Sequence, residues 1–232
     1  MDMQYVWFIW SLLILLLWSV IFVYKKPTRA EMLKVSLWTM PMGLTEPLFV
    51  PEYWTPPSLF NLSELTGFDI ESLIFSFAIG GIGAVLYKVI TPVSTLSIPV
   101  KERMHKRHRF HLVSLFSPPL FFLILALFTP LNHIYCGSIA MFMGGVGAMI
   151  CRPDLTQKIW ISGLLFTGLY FIYFTSLNMI FPDYVEHVWT LGKLSGLVIA
   201  GIPLEEYLFA FTFGMYWSGL YEHLTWHKLK RA

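Results

Sequence analysis

Charge is scarce in this chain. Of its 232 residues 13% are Asp, Glu, Lys or Arg, and 16 basic against 14 acidic side chains leave a net charge of +2. That balance gives no support for nucleic-acid binding, which calls for a concentrated basic surface. Cysteine is nearly absent: Cys136 and Cys151 are too few for a disulfide scaffold and are read as packing residues within helices. No basic segment or small-residue cleavage site frames the first apolar run, Tyr5 to Tyr24, which Asp2 precedes. A run of about 20 residues can span a bilayer, so it is read as a retained helix. Gly80-Gly81-Ile82-Gly83 and Gly144-Gly145-Val146-Gly147 lie inside apolar stretches, with no preceding strand and no completed dinucleotide fingerprint. Close helix packing is their expected role.

What the chain has in excess is apolar surface: 56% of residues are hydrophobic and 17% aromatic, more than a soluble domain of this length can bury. The expected class is an all-α integral membrane protein. Hydropathy divides it into seven transmembrane helices, near 5–24, 32–50, 70–92, 111–129, 134–151, 159–181 and 197–223. All but Lys193 of the 16 Lys and Arg residues then fall on one side, including the block Lys101, Arg103, Lys106, Arg107 and Arg109. The positive-inside rule places the N-terminus outside and the C-terminus in the cytoplasm of a multi-pass protein of the cell membrane. The basic block also suits anionic lipid. The outer loops, Pro51 to Gly67 and Pro182 to Gly196, carry Tyr53, Trp54, Tyr184 and Trp189, residues suited to the membrane interface. His223 and His227 stand four apart, and His105, His108 and His111 recur every third residue. With no accompanying carboxylate motif and lysines all around, they are read as interfacial, and no metal is expected. Seven spans invite comparison with rhodopsins, but no lysine lies mid-way along the last span to form a Schiff base.

The two halves of the chain resemble each other. Phe49-Val50-Pro51-Glu52-Tyr53 matches Ile180-Phe181-Pro182-Asp183-Tyr184, and Lys26-Pro27 corresponds to Arg152-Pro153. Asp69, Glu71, Ser72, Phe75, Phe77, Gly80 and Tyr87 align with Pro203, Glu205, Glu206, Phe209, Phe211, Gly214 and Tyr221 at one constant offset. The expected organisation is two parallel three-helix repeats, residues 1–92 and 134–232, joined by a linking segment at 93–133 that holds the basic loop and helix 4. An odd number of spans per copy makes the linking helix necessary for parallel orientation.

Against this apolar background the acids stand out. Glu205 and Glu206 are adjacent in a run otherwise apolar from Leu197 to Leu220, and a charge at bilayer depth costs at least about 2.5–3.5 kcal/mol. Pro203 removes a backbone donor just before them, so polar backbone must be satisfied nearby and a cavity is expected. If the helix begins near Leu197, Glu205 lies ~12 Å below its outer end. Glu46 sits between Pro41, Gly43 and Pro47, and Glu71 near the outer end of the third span. These four glutamates are expected to ring one pocket. Low-dielectric burial raises carboxyl pKa values and crowding raises at least one further, which keeps a proton available at neutral pH. Such an acid can protonate an alkene where aromatic faces stabilise the cation, and Phe75, Tyr207, Phe209, Phe213 and Trp217 are the expected cradle.

Pro203-Leu204-Glu205-Glu206-Tyr207-Leu208-Phe209 resembles the Pro-x-Glu-Glu/Asp-x-x-Phe signature of the lycopene cyclase domain, found in the two-subunit carotenoid cyclases and their fused relatives. The resemblance covers nearly the whole chain, that family too being built from two small three-helix-like repeats. It implies an isomerase that cyclises the linear ends of lycopene or a related carotene, with no redox change and no cofactor. It also implies that Glu205 and Glu206 do acid/base work, with Glu71 their counterpart in the first copy. That copy departs from the signature: Asp69 replaces the proline and Ser72 the second acid. The expected partners are a hydrophobic polyene and the lipid bilayer, with a homo-oligomer left open. Two other readings use the same acids: a carotenoid hydratase or other isoprenoid cyclase working through the same cation, and a non-catalytic carrier or proton-linked transporter.

Overall fold

In a computed structural model, residues 3–231 are described; Asp2 lies outside them. The protein is all-α, with two short antiparallel ladders. Its main helices are α1 (Val6–Tyr24), α2 (Arg29–Thr39), α3 (Ile70–Ile90), α4 (His111–Phe128), α5 (His133–Cys151), α6 (Thr156–Ile180) and α7 (Leu204–Thr225). Among the described residues five helical stretches are long and apolar enough to cross a membrane: Met3–Tyr24, Ile70–Ile90, Lys106–Phe128, His133–Cys151 and Pro153–Ile180. The other two expected spans differ in form. At 32–50 the α-helix stops at Thr39, and the chain continues as the 3-10 segment Met40–Leu48, which holds Pro41 and Pro47. Proline takes away the donors an α-helix would need there. At 197–223 the first residues form a hairpin, and α7 carries three glutamates, Glu205, Glu206 and Glu222, which lower its hydropathy.

The chain folds as two compact units, each drawn from several stretches. The first comprises Met1–Ile82, Asn132–Ile134 and Leu169–Tyr207. Here the glycines of α3 allow close approach to α2: a methyl group on Gly80 would stand 1.8 Å from Thr39 Oγ1, and one on Gly81 2.2 Å from Ser36 Oγ. The same serine hydroxyl accepts from the Trp18 indole of α1 at 2.8 Å.

The second unit comprises Gly83–Leu131, Tyr135–Gly168 and Leu208–Ala232. It has an apolar cluster of Ala148, Leu155, Ile159 and Met215, and β1 (Val93–Ser97) pairs with β4 (His227–Arg231). Lys88 and Lys158, both buried, each contact Glu222 Oε1 at 2.6 Å. The fully buried Arg152 is held by both oxygens of Asp154, at 2.8 and 2.7 Å, and donates to the carbonyls of Glu222 and His227. Removing the shared carboxylate leaves two ammonium groups buried side by side, and breaking a buried pair costs roughly 3–5 kcal/mol. Glu222→Ala is therefore expected to lower the thermal midpoint of detergent-solubilised protein sharply, measured by tryptophan fluorescence. An unchanged midpoint would show that the cluster does not hold this unit together.

Candidate active site

Four acids of the first unit, Asp69, Glu71, Glu205 and Glu206, stand where helices begin. Before α7, strand β2 (Val198–Ile199) turns back on β3 (Ile202–Pro203) through Ala200 and Gly201, whose φ values of 52° and 76° suit a two-residue hairpin turn. Leu204 N–H closes the hairpin by donating to Leu197 O at 2.9 Å. Glu205 and Glu206 consequently occupy the first turn of α7 and do not lie two turns down a helix starting at Leu197. The apolar hairpin Leu197–Pro203 is continuous in hydropathy with the helix, which is why the two read as one span. Glu71 likewise sits in the first turn of α3, and Asp69 precedes it, its Oδ1 accepting from Ser72 N–H at 2.5 Å. Free N–H groups at a helix start favour negative charge, so these backbones can hold carboxylates that lipid would reject.

All five acids, Glu46, Asp69, Glu71, Glu205 and Glu206, are at most 5% exposed. Glu71 Oε1 accepts from Leu59 N–H at 2.8 Å and Glu205 Oε1 from Ser195 N–H at 2.9 Å, so each ties its helix start to the preceding loop. Glu206 Oε1 accepts from the Trp189 indole at 2.8 Å and from the Tyr53 hydroxyl. Burial, reinforced by the Glu206 charge, pushes the Tyr53 phenol well above its ordinary pKa, so Tyr53 stays a donor. Glu46 Oε2 accepts from Asp69 N–H at 3.1 Å, and the two carboxyl groups lie within interaction range of one another, Glu46 Oε1 and Asp69 Oδ2 both buried without another partner among the described residues. The Ser72 hydroxyl also reaches Glu46. Two facing carboxyls can bond only if one carries the proton, and burial pushes Asp69 up despite the hydrogen bonds from Ser72.

The two loops that carry these donors pair with each other. Thr55 N–H donates to Val188 O at 2.8 Å and Thr190 N–H to Tyr53 O at 3.0 Å, around a bridge between Trp54 and Trp189. Tyr53, Tyr184 and Trp189 are buried against the acids, a correction to the interfacial role expected for them. Aromatic rings continue the wall. Trp7 packs on Trp54 and Phe75 with centroids 4.9 and 5.0 Å apart, and Phe75 lies 5.9 Å from Tyr173 and 6.3 Å from Tyr170. Tyr170 and Tyr173 lie within electrostatic range of Glu206, and Tyr184 within range of Asp69 and Glu71.

The four glutamates singled out by sequence thus share one unit with Phe75. Of the other expected cradle residues, Tyr207 turns its hydroxyl to Ile199 O at 3.1 Å, beside the hairpin. Phe209, Phe213 and Trp217 belong to the second unit, as a ladder one turn apart along α7 with centroids 5.4 and 5.9 Å apart. Sequence reasoning missed Asp69, Tyr53, Trp189 and Trp7 as members of the site. For Asp69 the signal was present, as the acid standing where the second copy has Pro203.

Residues 132–224 match the family model described as lycopene cyclase. This part of the chain is similar to lycopene cyclase domains. The matched residues include Tyr184, Trp189, Glu205 and Glu206, and the likeness supports carotenoid cyclisation at the level of the family. Nothing among curated proteins or solved structures matches the chain.

Proposed function

We propose that the protein is an integral-membrane carotenoid cyclase that closes rings on the linear ends of lycopene, or of a related carotene, by proton transfer and without net redox change. The observation that carries this reading is the gathering of five buried acids and a wall of aromatic rings in the same unit, in a chain similar over residues 132–224 to lycopene cyclase domains. In the proposed sequence, the proton shared by Glu46 and Asp69 adds to the terminal alkene. The tertiary cation that results is attacked by the internal alkene, which closes the ring. Glu206, oriented by Tyr53 and Trp189, takes a proton from the carbon beside the new cation. One proton enters and one leaves, so substrate and product are isomers. Trp7, Trp54, Phe75 and Trp189 supply ring faces, each worth about 0.5–2 kcal/mol to a cation. Glu71 and Glu205 hold the loops on the helix starts.

In this reading the segments Arg29–Leu48 and Leu204–Thr225 complete seven spans in the cell membrane, N-terminus outside and C-terminus cytoplasmic. The halves 1–92 and 134–232 are parallel repeats. Two parallels favour that: the loop-to-glutamate hydrogen bonds of Glu71 and Glu205, and equivalent close packing. Gly80 meets Thr39 as Gly214 meets Ser162 and Gly163. The partners are then the polyene and the surrounding lipid.

Expression in a lycopene-accumulating host, followed by chromatography of the pigments, tests the reading. Cyclised products of unchanged mass are expected. Products heavier by one water per event would replace cyclisation with hydration. Unaltered polyenes together with pH-dependent flux in liposomes would overturn the enzyme in favour of a transporter.

A further inference from the structure

Of the five histidines expected at the interface, His105 is exposed and His227 partly so, but the other three are not there. His108, His111 and His223 are all buried, and together with Cys151 they form a compact group within the second unit. The elements that bring them together are the 3-10 turn Lys106–His108, the first residue of α4, the last residue of α5 and the last turn of α7. Cys151 Sγ stands 3.4 Å from His108 Nδ1 and 3.6 Å from His111 Nδ1, and one donor atom from each of the three lies within 4.8 Å of the others. A tetrahedral zinc ion with Zn–S near 2.3 Å and Zn–N near 2.0–2.1 Å separates sulfur from nitrogen by about 3.6 Å. The observed edges have that length. His223 adjoins them, its ring centroid 4.3 Å from that of His111 and nearly perpendicular to it. Neither of its ring nitrogens has a hydrogen-bond partner among the described residues, although the side chain is 0% exposed. A buried imidazole left so is destabilising, and coordination removes that cost.

We propose that His108, His111 and Cys151 bind a borderline-soft transition metal ion, zinc foremost, with His223 as the fourth ligand. The surroundings fit such a site. A backbone hydrogen bond to His223 orients the His111 ring, the kind of outer contact that fixes a ligating histidine. Trp226 stacks on His111 at 3.9 Å and meets His108 edge-on at 5.1 Å, which shields the group from water. Arg152 acts electrostatically on all four side chains, while its own charge is balanced by Asp154. Arg107 Nε donates to His108 Nε2 at 3.3 Å; ligation through Nδ1 would put the proton on Nε2 and end that bond, which the exposed position of Arg107 allows. The ion would pin the basic loop to three helix ends, so it is a structural site, closed by protein ligands. It lies wholly outside the residues assigned to proton transfer.

The test uses the full chain purified in detergent. Elemental analysis is expected to give about one zinc per chain in the wild type and in the His105→Ala and Cys136→Ser controls. Cys151→Ser and His111→Ala are expected to lose it. Cobalt added to metal-free protein is expected to give a thiolate charge-transfer band and visible bands of tetrahedral intensity, both missing in Cys151→Ser. Should the ligand variants fail to fold, alkylation of the wild type decides: zinc is expected to protect Cys151, but not Cys136, from maleimide, and a chelator to remove the protection. Zinc content no higher in wild type than in Cys151→Ser, no thiolate band, or alkylation of Cys151 indifferent to zinc would each overturn the site.

Discussion

Glu206→Gln is expected to lower ring formation by roughly 10²- to 10⁴-fold, the range that a positioned acid or base contributes, while the protein still inserts. The carboxylate accepts from the Trp189 indole and the Tyr53 hydroxyl, and Tyr53 is held protonated by its own burial. Two donors converging on one oxygen offset part of what burial costs the charged form, which is the form a base must take before the cation appears. An amide keeps the size and one of the contacts but cannot accept the proton, so the variant separates chemistry from folding. Glu205→Gln serves as the comparison. Its Oε1 accepts from Ser195 N–H, a bond that an amide carbonyl also makes, so a smaller loss is expected there. The measurement is cyclised pigment per mole of inserted protein in a lycopene-accumulating host. Full activity in Glu206→Gln, or equal losses in the two variants, would remove Glu206 from the role of base.

The features legible in the sequence are those that composition and spacing carry directly. An acid amid apolar residues is conspicuous, and Glu46, Glu71, Glu205 and Glu206 are all buried. Five of the expected spans were equally plain, because long apolar helices announce themselves by hydropathy alone. Hydropathy does not register backbone direction, so it merged the hairpin Leu197–Pro203 with α7 and set Glu205 two turns too deep. It also carried the second span through Pro41 and Pro47, where the chain leaves the α-helix. Tyr53 and Trp189 were misjudged for a different reason. Tyrosine and tryptophan in a loop between spans are typical of the membrane interface, and only the pairing of two loops far apart in sequence turns these two toward Glu206. The histidines failed on the same ground, since contacts between residues 108, 111, 151 and 223 depend on how helix ends assemble and leave no periodic trace.

Asp69 carries the second large prediction. In the first copy it stands where the second has Pro203, and Ser72 stands where the second has Glu206. These departures are complementary: Ser72 N–H and its hydroxyl support Asp69 and Glu46, and the two carboxyls lie close enough to share a proton. On the proposed mechanism the first copy provides a proton donor where the second provides an acceptor, a division of labour that identical copies could not offer. Asp69→Asn and Glu46→Gln are each expected to reduce turnover by about 10²-fold or more, the scale of general acid catalysis. The double variant should be no worse than the poorer single one, because one shared proton is one function and residues acting as a unit are not additive. The pH profile supplies a check independent of expression level. Burial raises the Asp69 pKa, so the acid form persists upward from low pH and activity falls as pH rises through that raised value. Asp69→Asn is expected to shift the descending limb. Losses that multiply in the double variant, or a pH profile that Asp69→Asn leaves unmoved, would take the proton away from this pair.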